Sequence, residues 1–165
     1  MDPKTFAKSC LVTYLFLGSP LAADEIATAM PEPYLRALVP FGPDTVLKYA
    51  VCEENTYPTC TYIWGSPDSD DAMRVQLGGK PDGDKLITTF AQANQAQDFD
   101  RVLSSYKDAV AVEDLGGVAV WSEARAQLSL MTNDNLIIHV HVQISNEGQI
   151  KAIAKQVATY LLAAR

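Results

Sequence analysis

One segment constrains the fold of this chain more than any other: residues 135–144, which read NLIIHVHVQI. Successive residues of a β-strand point to opposite faces of the sheet, so this segment would form a strand with an aliphatic face and a polar face. The polar face carries His139 and His141, the only histidines in the chain. A slip of one residue would bury both imidazoles, so the alternation also fixes the face that meets the core. The expected core side chains are Ile138, Val140, Val142 and Ile144.

A second alternating segment, AQLSLMT, precedes this strand and predicts a β-hairpin. An odd-numbered loop, most simply residues 133–135, places apolar side chains opposite apolar ones. We then expect Ser129 opposite His139 and Gln127 opposite His141, so that the outer face of the hairpin is polar.

The two histidines are spaced like a pair of metal ligands on a strand, about 6.6 Å apart at their Cα atoms. A tight site requires a third or fourth protein ligand, and the chain has no third histidine. Met131 would lie too far from His141, whereas Glu123 on the neighbouring strand could complete a set. We expect hydrogen-bonded or solvated imidazoles without a tightly held metal or other cofactor. A periplasmic metal carrier that uses His139 and His141 is the alternative.

Two cysteines, Cys52 and Cys60, flank the polar turn EENTYPT between two strand-like segments. We expect a disulfide, which in the chain-entropy model contributes about 2.5 kcal/mol for so short a loop. Within this loop Tyr57 follows Glu53 and Glu54. An aromatic side chain among carboxylates on a tied loop is a candidate partner-binding site, and an ordinary solvated turn is the alternative.

The first residues have the order of a secretory signal peptide. Lys4 and Lys8 precede the apolar run at residues 10–17, and small residues follow, up to Ala23. We expect cleavage after Ala23, with residues 1–23 removed and residues 24–165 forming one periplasmic or secreted domain. No stable membrane insertion is expected after cleavage.

The formal net charge of the chain is −7. Such a chain should repel nucleic acid and anionic membrane surfaces. A cationic protein or a subunit of a membrane complex is the kind of partner it would attract, and the alternative is that the charge serves only solubility.

The remaining patterns predict the other secondary structure elements. Helices are expected near residues 34–38, from Asp84 with Leu86, Ile87 and Phe90 buried, and from about Asn146 to the end. A further helix is expected from Asp98, with an apolar face formed by Phe99, Val102, Leu103 and Tyr106. Strands are expected at TVLKYAVC and CTYIWG on either side of the loop, and at residues 72–79, 109–115, 118–123, 126–132 and 136–144. Consecutive strands with a helical insert and a C-terminal helix predict an α+β domain with an antiparallel sheet. Its helices would pack on one face and leave the other largely polar.

The stretch VEDLGGVAVWSEARAQLSLMTNDNLIIHVHVQI, followed by a helix, resembles the C-terminal half of small secreted domains of unknown function with a PsbP-like α+β fold. The resemblance implies a binding or accessory role. Many of those domains are lipid-anchored, whereas this chain has no lipobox. No Gly-x-Ser-x-Gly elbow, free thiol or phosphate-binding loop indicates catalysis. We therefore expect a non-catalytic protein that binds another extracytoplasmic protein or membrane complex, with an unidentified enzyme as a further alternative.

Overall fold

The structure is a computed structural model that describes residues 30–39, 41–67, 70–93 and 96–164. The predicted signal peptide lies outside these ranges. Within them, no helix has the length and apolar character needed to cross a membrane.

A seven-stranded antiparallel sheet forms the centre of the fold, with strand order β1-β2-β3-β7-β6-β5-β4. The strands are β1 (Val46–Glu53), β2 (Thr59–Gly65), β3 (Asp84–Gln92), β4 (Val110–Ala111), β5 (Val118–Ser122), β6 (Gln127–Met131) and β7 (Leu136–Gln143). The helices are α1 (Glu32–Leu38), α2 (Asp70–Gln76), α3 (Ala96–Ser104) and α4 (Ile150–Ala163), the last preceded by a 3-10 turn at Glu147–Gln149. The α+β class and the antiparallel sheet are confirmed.

One face of the sheet forms the main hydrophobic core, and α4 packs across β6 and β7 on this face. The aliphatic residues of β7 enter this core as predicted, and Ile138, Val140 and Val142 are fully buried. From α4 the core receives Ile153, Ala154, Val157, Ala158 and Leu161. The predicted C-terminal helix is therefore confirmed, because its apolar stripe meets the aliphatic face of the strand before it.

The predicted register of the β6–β7 hairpin is also confirmed. Ser129 pairs with His139, and Gln127 pairs with His141. This register puts both histidines on the face opposite α4, which we call the second face of the sheet.

The predicted strand at residues 72–79 is wrong, because this segment begins within helix α2. Its apolar residues are not half-buried: Leu77 is 82% exposed, and Met73 and Val75 are also exposed. Alternation alone predicted a strand, but residues 73–79 are all exposed, so the alternation in sequence does not correspond to alternating burial. Polar contacts hold the segment instead, since Asp71 accepts hydrogen bonds from the Lys48 side chain and from the backbone N–H of Asp82.

The predicted helix from Asp84 is wrong as well, because the segment is strand β3. It pairs with β2 on one side and with β7 on the other, so it is a central strand. Leu86 and Phe90, assigned to a helical stripe, are both buried as alternating strand residues. Gly83 precedes the strand with φ of 150°, and a Cβ there would lie 2.2 Å from the Trp64 carbonyl oxygen. Glycine therefore permits the close approach of the chain to β2 as β3 begins.

Two further expectations change. The strand predicted at residues 109–115 is reduced to the two residues of β4. The second face was expected to be largely polar, but α3 packs on it through Phe99, which is buried with Ile137 and Ala93. The stripe predicted for the helix from Asp98 explains this contact, because an amphipathic helix buries its apolar side on the nearest sheet face.

Candidate functional site

The disulfide between Cys52 and Cys60 is present, as predicted. The two residues lie directly opposite each other in the β1–β2 ladder, with Cα atoms 3.9 Å apart. Cys60 is buried in the main core, whereas Cys52 is half-buried. The bond closes the base of the loop at residues 54–58, which we call the disulfide loop.

Further contacts fix the backbone of the disulfide loop on the sheet. Pro58 is buried, and its carbonyl accepts a hydrogen bond of 2.9 Å from the N–H of Phe90. Thr59 Oγ1 donates to the carbonyl of Tyr57 at 2.9 Å and lies 3.3 Å from Thr89 Oγ1. The Tyr57 side chain nevertheless remains 57% exposed. The loop thus presents an exposed aromatic ring on a backbone that is already ordered.

A cleft of about 470 Å³ opens on the second face between the disulfide loop and α3. Strands β3 and β7 form its floor, and we call it the loop–α3 cleft. Its lining residues are Tyr57, Thr89, Ala91, Gln92, Ala93, Asp98, Val102, Ile137 and His139. Two sites that the sequence predicted separately, the tyrosine of the loop and a histidine of β7, therefore share one cavity.

His139 is held by a cluster of polar side chains on β6 and near the end of α3. Its Nδ1 lies 2.8 Å from Ser129 Oγ and 3.1 Å from Gln127 Nε2. The hydroxyl of Tyr106 lies 2.8 Å from Gln127 Nε2 and 3.2 Å from Ser129 Oγ. Arg125 lies over the Tyr106 ring, with its guanidinium carbon 4.6 Å from the ring centroid. The imidazole orientation is thus fixed from its Nδ1 edge.

The partners of His139 assign its tautomer. The amide nitrogen of Gln127 only donates, so Nδ1 beside it acts as an acceptor. In one consistent arrangement of hydrogen bonds, the Gln127 amide donates to the Tyr106 hydroxyl, which donates to Ser129 Oγ. Ser129 Oγ in turn donates to Nδ1 of His139, so each hydroxyl both donates and accepts. We therefore assign the proton of His139 to Nε2. Because burial lowers the pKa of His139, the neutral form is the one present at pH 7.

His141 adopts the other tautomer. Its Nδ1 lies 2.8 Å from the backbone carbonyl oxygen of Arg125. A carbonyl only accepts, so Nδ1 of His141 carries a proton and donates it. The two rings therefore differ: Nδ1 accepts in His139 and donates in His141.

The described residues include no group of three or more His, Cys, Asp or Glu side chains that could hold a metal ion. Glu123, considered as a third ligand, accepts a hydrogen bond of 2.6 Å from the indole of Trp121, which is buried on the core face. Met131 pairs with Ile137, four pairs along the ladder from the pair that contains His141. Metal binding by both histidines would also require His139 to give up its Nε2 proton, so this geometry does not favour the metal-carrier alternative.

Ser129 and His139 lie at the distance expected for a catalytic serine and its general base, but Ser129 is not accessible to a substrate. Ser129 is 0% exposed, beneath the hydroxyl of Tyr106. A substrate carbonyl could not reach its Oγ. The pair orients the imidazole and gives no support for a catalytic serine.

The acidic residues predicted beside Tyr57 lie at the base of the disulfide loop. Glu53 and Glu54 are both exposed. Glu53 has Lys80 Nζ at 3.6 Å from its carboxylate, and the Asn55 amide at 3.4 Å. Both carboxylates therefore face solvent, and neither lines the loop–α3 cleft.

Sequence reasoning missed Thr89, Val102 and Tyr106 as parts of this region. Thr89 was missed because its strand was predicted to be a helix. Val102 and Tyr106 were placed on the apolar side of a helix, and only the packing of α3 on the second face brings them to the histidine side of β7. No protein-family model, curated protein or solved structure matches the chain, so the PsbP-like resemblance remains a prediction.

Proposed function

We propose that this protein is a non-catalytic binding protein that docks on another protein through the loop–α3 cleft. The observation that carries the proposal is Tyr57, a residue that is 57% exposed on a loop held by a disulfide and by hydrogen bonds. Tyrosine is among the residues that dominate binding energy at protein interfaces. Its place at the rim of a cleft gives a partner side chain somewhere to enter.

The order of the disulfide loop supports this role. Binding through a flexible loop costs about 0.5–1.5 kcal/mol for each side chain that must be immobilised, in addition to backbone ordering. Here the loop backbone is already ordered in the free protein, because the Cys52–Cys60 bond and the contact of Pro58 with Phe90 hold the loop on the sheet. Binding therefore costs little further conformational entropy of the backbone. Most of the contact energy of Tyr57 is then available for affinity.

The charge of the protein supports a basic partner. The chain has a formal net charge of −7, and Glu53 and Glu54 are exposed at the base of the disulfide loop. Carboxylates at the rim of an interface mainly raise the rate of association with an oppositely charged partner. We infer that the partner presents Lys or Arg side chains around the segment that meets Tyr57.

The proposed location is the periplasm or the extracellular space. A disulfide is stable in oxidising compartments, and the N-terminal pattern that ends at Ala23 is that of an export signal. The partner would then be another extracytoplasmic protein or a subunit of a membrane complex. Intact-mass measurement of protein isolated from its host tests the location, since an exported form should begin near Asp24.

A capture experiment with paired tyrosine variants tests the docking proposal. Wild-type protein, Tyr57→Ala and Tyr34→Ala are immobilised and exposed to the periplasmic and membrane fractions of the host. Tyr34 is a matched control, because its side chain is 55% exposed and stacks on Tyr160 of α4, on the opposite side of the sheet.

We expect a protein that is retained stoichiometrically by wild type and by Tyr34→Ala, and that is lost or strongly reduced with Tyr57→Ala. Replacing Glu53 and Glu54 by Gln should slow its association and flatten the salt dependence. A retained partner that is indifferent to Tyr57 and to both carboxylates would place the interface elsewhere and refute the proposal.

A further inference from the structure

We propose that the loop–α3 cleft binds an uncharged apolar residue of the partner protein and that His139 Nε2–H donates a hydrogen bond to a main-chain carbonyl of that residue. This inference rests on the proposed function and specifies the chemistry that the cleft selects. The partner is basic around the cleft and uncharged at the residue that enters it.

The hydrogen-bonding groups of the cleft define what it can bind. The backbone of its floor is already satisfied, because β3 is paired on both sides and β7 lies between β3 and β6. His139 lines the cleft, and its Nδ1 is occupied by Ser129 and Gln127. No described side chain bonds to Nε2, whose proton is therefore a donor for a ligand. A donor of this kind requires an acceptor, and a peptide carbonyl is a suitable one.

The walls of the cleft are apolar. Ala91 and Ala93 contribute from β3 and the residues after it, Ile137 from β7, and Val102 from α3. The Tyr57 ring adds aromatic surface at the rim. A cavity of about 470 Å³ is large enough for one phenylalanine or leucine side chain together with its peptide group.

Among the described residues, the lining of the cleft contains no Lys or Arg side chain that would stabilise an anionic acceptor such as a carboxylate or a phosphate. Its charged side chain is Asp98, whose carboxylate lies 3.5 Å from Arg101 Nη1. His139 is neutral at pH 7, so it offers a dipole and no positive charge to a ligand. A neutral carbonyl is the acceptor that fits a protonated Nε2 where the described lining has no Lys or Arg.

Two capped amino acids serve as probes that differ only in charge. The first is N-acetyl-phenylalaninamide, which is neutral. The second is N-acetyl-phenylalanine, which carries a carboxylate at pH 7. Each is titrated into ¹⁵N-labelled full-length mature protein, and binding is followed by the backbone amide signals of Ala91, Ala93 and Ile137.

Two variants of His139 separate the donor from the rest of the ring. His139→Gln keeps an N–H near the position of Nε2, whereas His139→Met keeps similar bulk without a donor. Both lose the Nδ1 contact with Ser129, so they share its structural cost. Comparison of the two variants therefore isolates the donor even if both are less stable than wild type, provided that their spectra show the native fold.

We expect saturable shifts at the three amides with the neutral probe and at least about fivefold weaker binding of the carboxylate probe. Loss of one hydrogen bond should weaken binding of the neutral probe by about three- to tenfold in His139→Met relative to His139→Gln. Equal affinities of the two probes, equal affinities of the two variants, or shifts confined to other parts of the protein would each overturn the inference.

The probe titrations and the capture experiment distinguish failure of this inference from failure of the proposed function. If capture depends on Tyr57 but neither probe binds, docking stands and the selection of a carbonyl by His139 is wrong. If the neutral probe binds through His139 but no partner depends on Tyr57, the cleft is a site for a small neutral amide and protein docking is wrong.

Discussion

Removal of the disulfide should destabilise the protein by an amount that the structure defines. The bond joins residues separated by 8 positions, and closing a loop of this size corresponds to about 2.5 kcal/mol in the chain-entropy model. Cys60 is 1% exposed within the core, so its replacement by Ala also leaves a small cavity, at a cost of about 1 kcal/mol. The double variant Cys52→Ser with Cys60→Ala should therefore lose about 3.5 kcal/mol of unfolding free energy.

Urea denaturation followed by tryptophan fluorescence measures this loss. Trp64 is a suitable reporter, because it is 2% exposed in β2, the strand that carries Cys60. Wild-type protein reduced with dithiothreitol is the control: it keeps the volume of both sulfur atoms and should lose only the part due to loop closure, about 2.5 kcal/mol.

The same variant should bind the partner more weakly, since Tyr57 would have to be ordered during binding. The expected pattern is a lower affinity with a native-like circular dichroism spectrum. A loss of less than about 1 kcal/mol on reduction, or unchanged binding after loss of the bond, would refute the view that the disulfide holds the loop in its binding conformation.

Three further predictions concern titration and metal binding. Burial lowers the pKa of His139, so the unfolded chain takes up a proton first as the pH falls. The contribution of His139 to the unfolding free energy should therefore be complete above about pH 6.5 and should decrease as the pH falls toward the lower folded pKa. His139→Gln should flatten the pH dependence of the urea-unfolding free energy over this range. The backbone N–H of Ala124 and the hydroxyl of Ser122 donate hydrogen bonds to Asp108 and lower the pKa of its carboxyl group. The contribution of Asp108 to the unfolding free energy should be present above the ordinary pKa of an aspartate and be lost as the pH falls through the folded pKa. Asp108→Asn should remove this dependence at acid pH, and an unchanged pH dependence would contradict the prediction. Calorimetric titration of metal-free protein with Zn²⁺ or Cu²⁺ should show at most weak binding, and a submicromolar affinity lost when His139 and His141 are both replaced by Gln would revive the metal-carrier alternative.

The elements predicted correctly from the sequence are those whose pattern of apolar residues fits only one type of secondary structure or only one strand register. The β6–β7 hairpin is an example: matching the leucines of β6 with the aliphatic residues of β7 leaves only one register, and Ser129 lies opposite His139 as expected. The disulfide follows from Cys52 and Cys60 on either side of a short turn, since the third cysteine, Cys10, belongs to the predicted signal peptide. Helix α4 follows from a long apolar stripe of period close to 3.6.

The errors lie where a short pattern fits both periods. The segment KLITTF has apolar residues at helical spacing, but Leu86 and Phe90 are also separated by an even number of residues and share one face of a strand. Its threonines and isoleucine favour the strand, and pairing with two neighbours decides it. The segment MRVQL alternates like a strand, but its apolar residues are exposed and most of it lies in helix α2.

The candidate site could be predicted only in parts. Tyr57 and His139 were each identified from local sequence, but they are far apart in the chain and meet only because β3 lies between β2 and β7. Because the sequence analysis predicted a helix in place of β3, it could not predict that Tyr57 and His139 line the same cleft. The position of α3 over the second face depends on the same strand, since Ala91 and Ala93 belong to its contact with Phe99.

Photocrosslinking from position 57 tests the central claim most directly. Replacing Tyr57 by p-benzoylphenylalanine keeps an aromatic ring at the rim of the cleft and captures whatever contacts it in the native compartment. Position 34 serves as the control, because Tyr34 is similarly exposed, at 55% against 57%. We predict a covalent adduct with one extracytoplasmic protein from position 57 and none with that protein from position 34. Absence of any adduct from position 57, or equal crosslinking of the same protein from both positions, would contradict docking through the loop–α3 cleft.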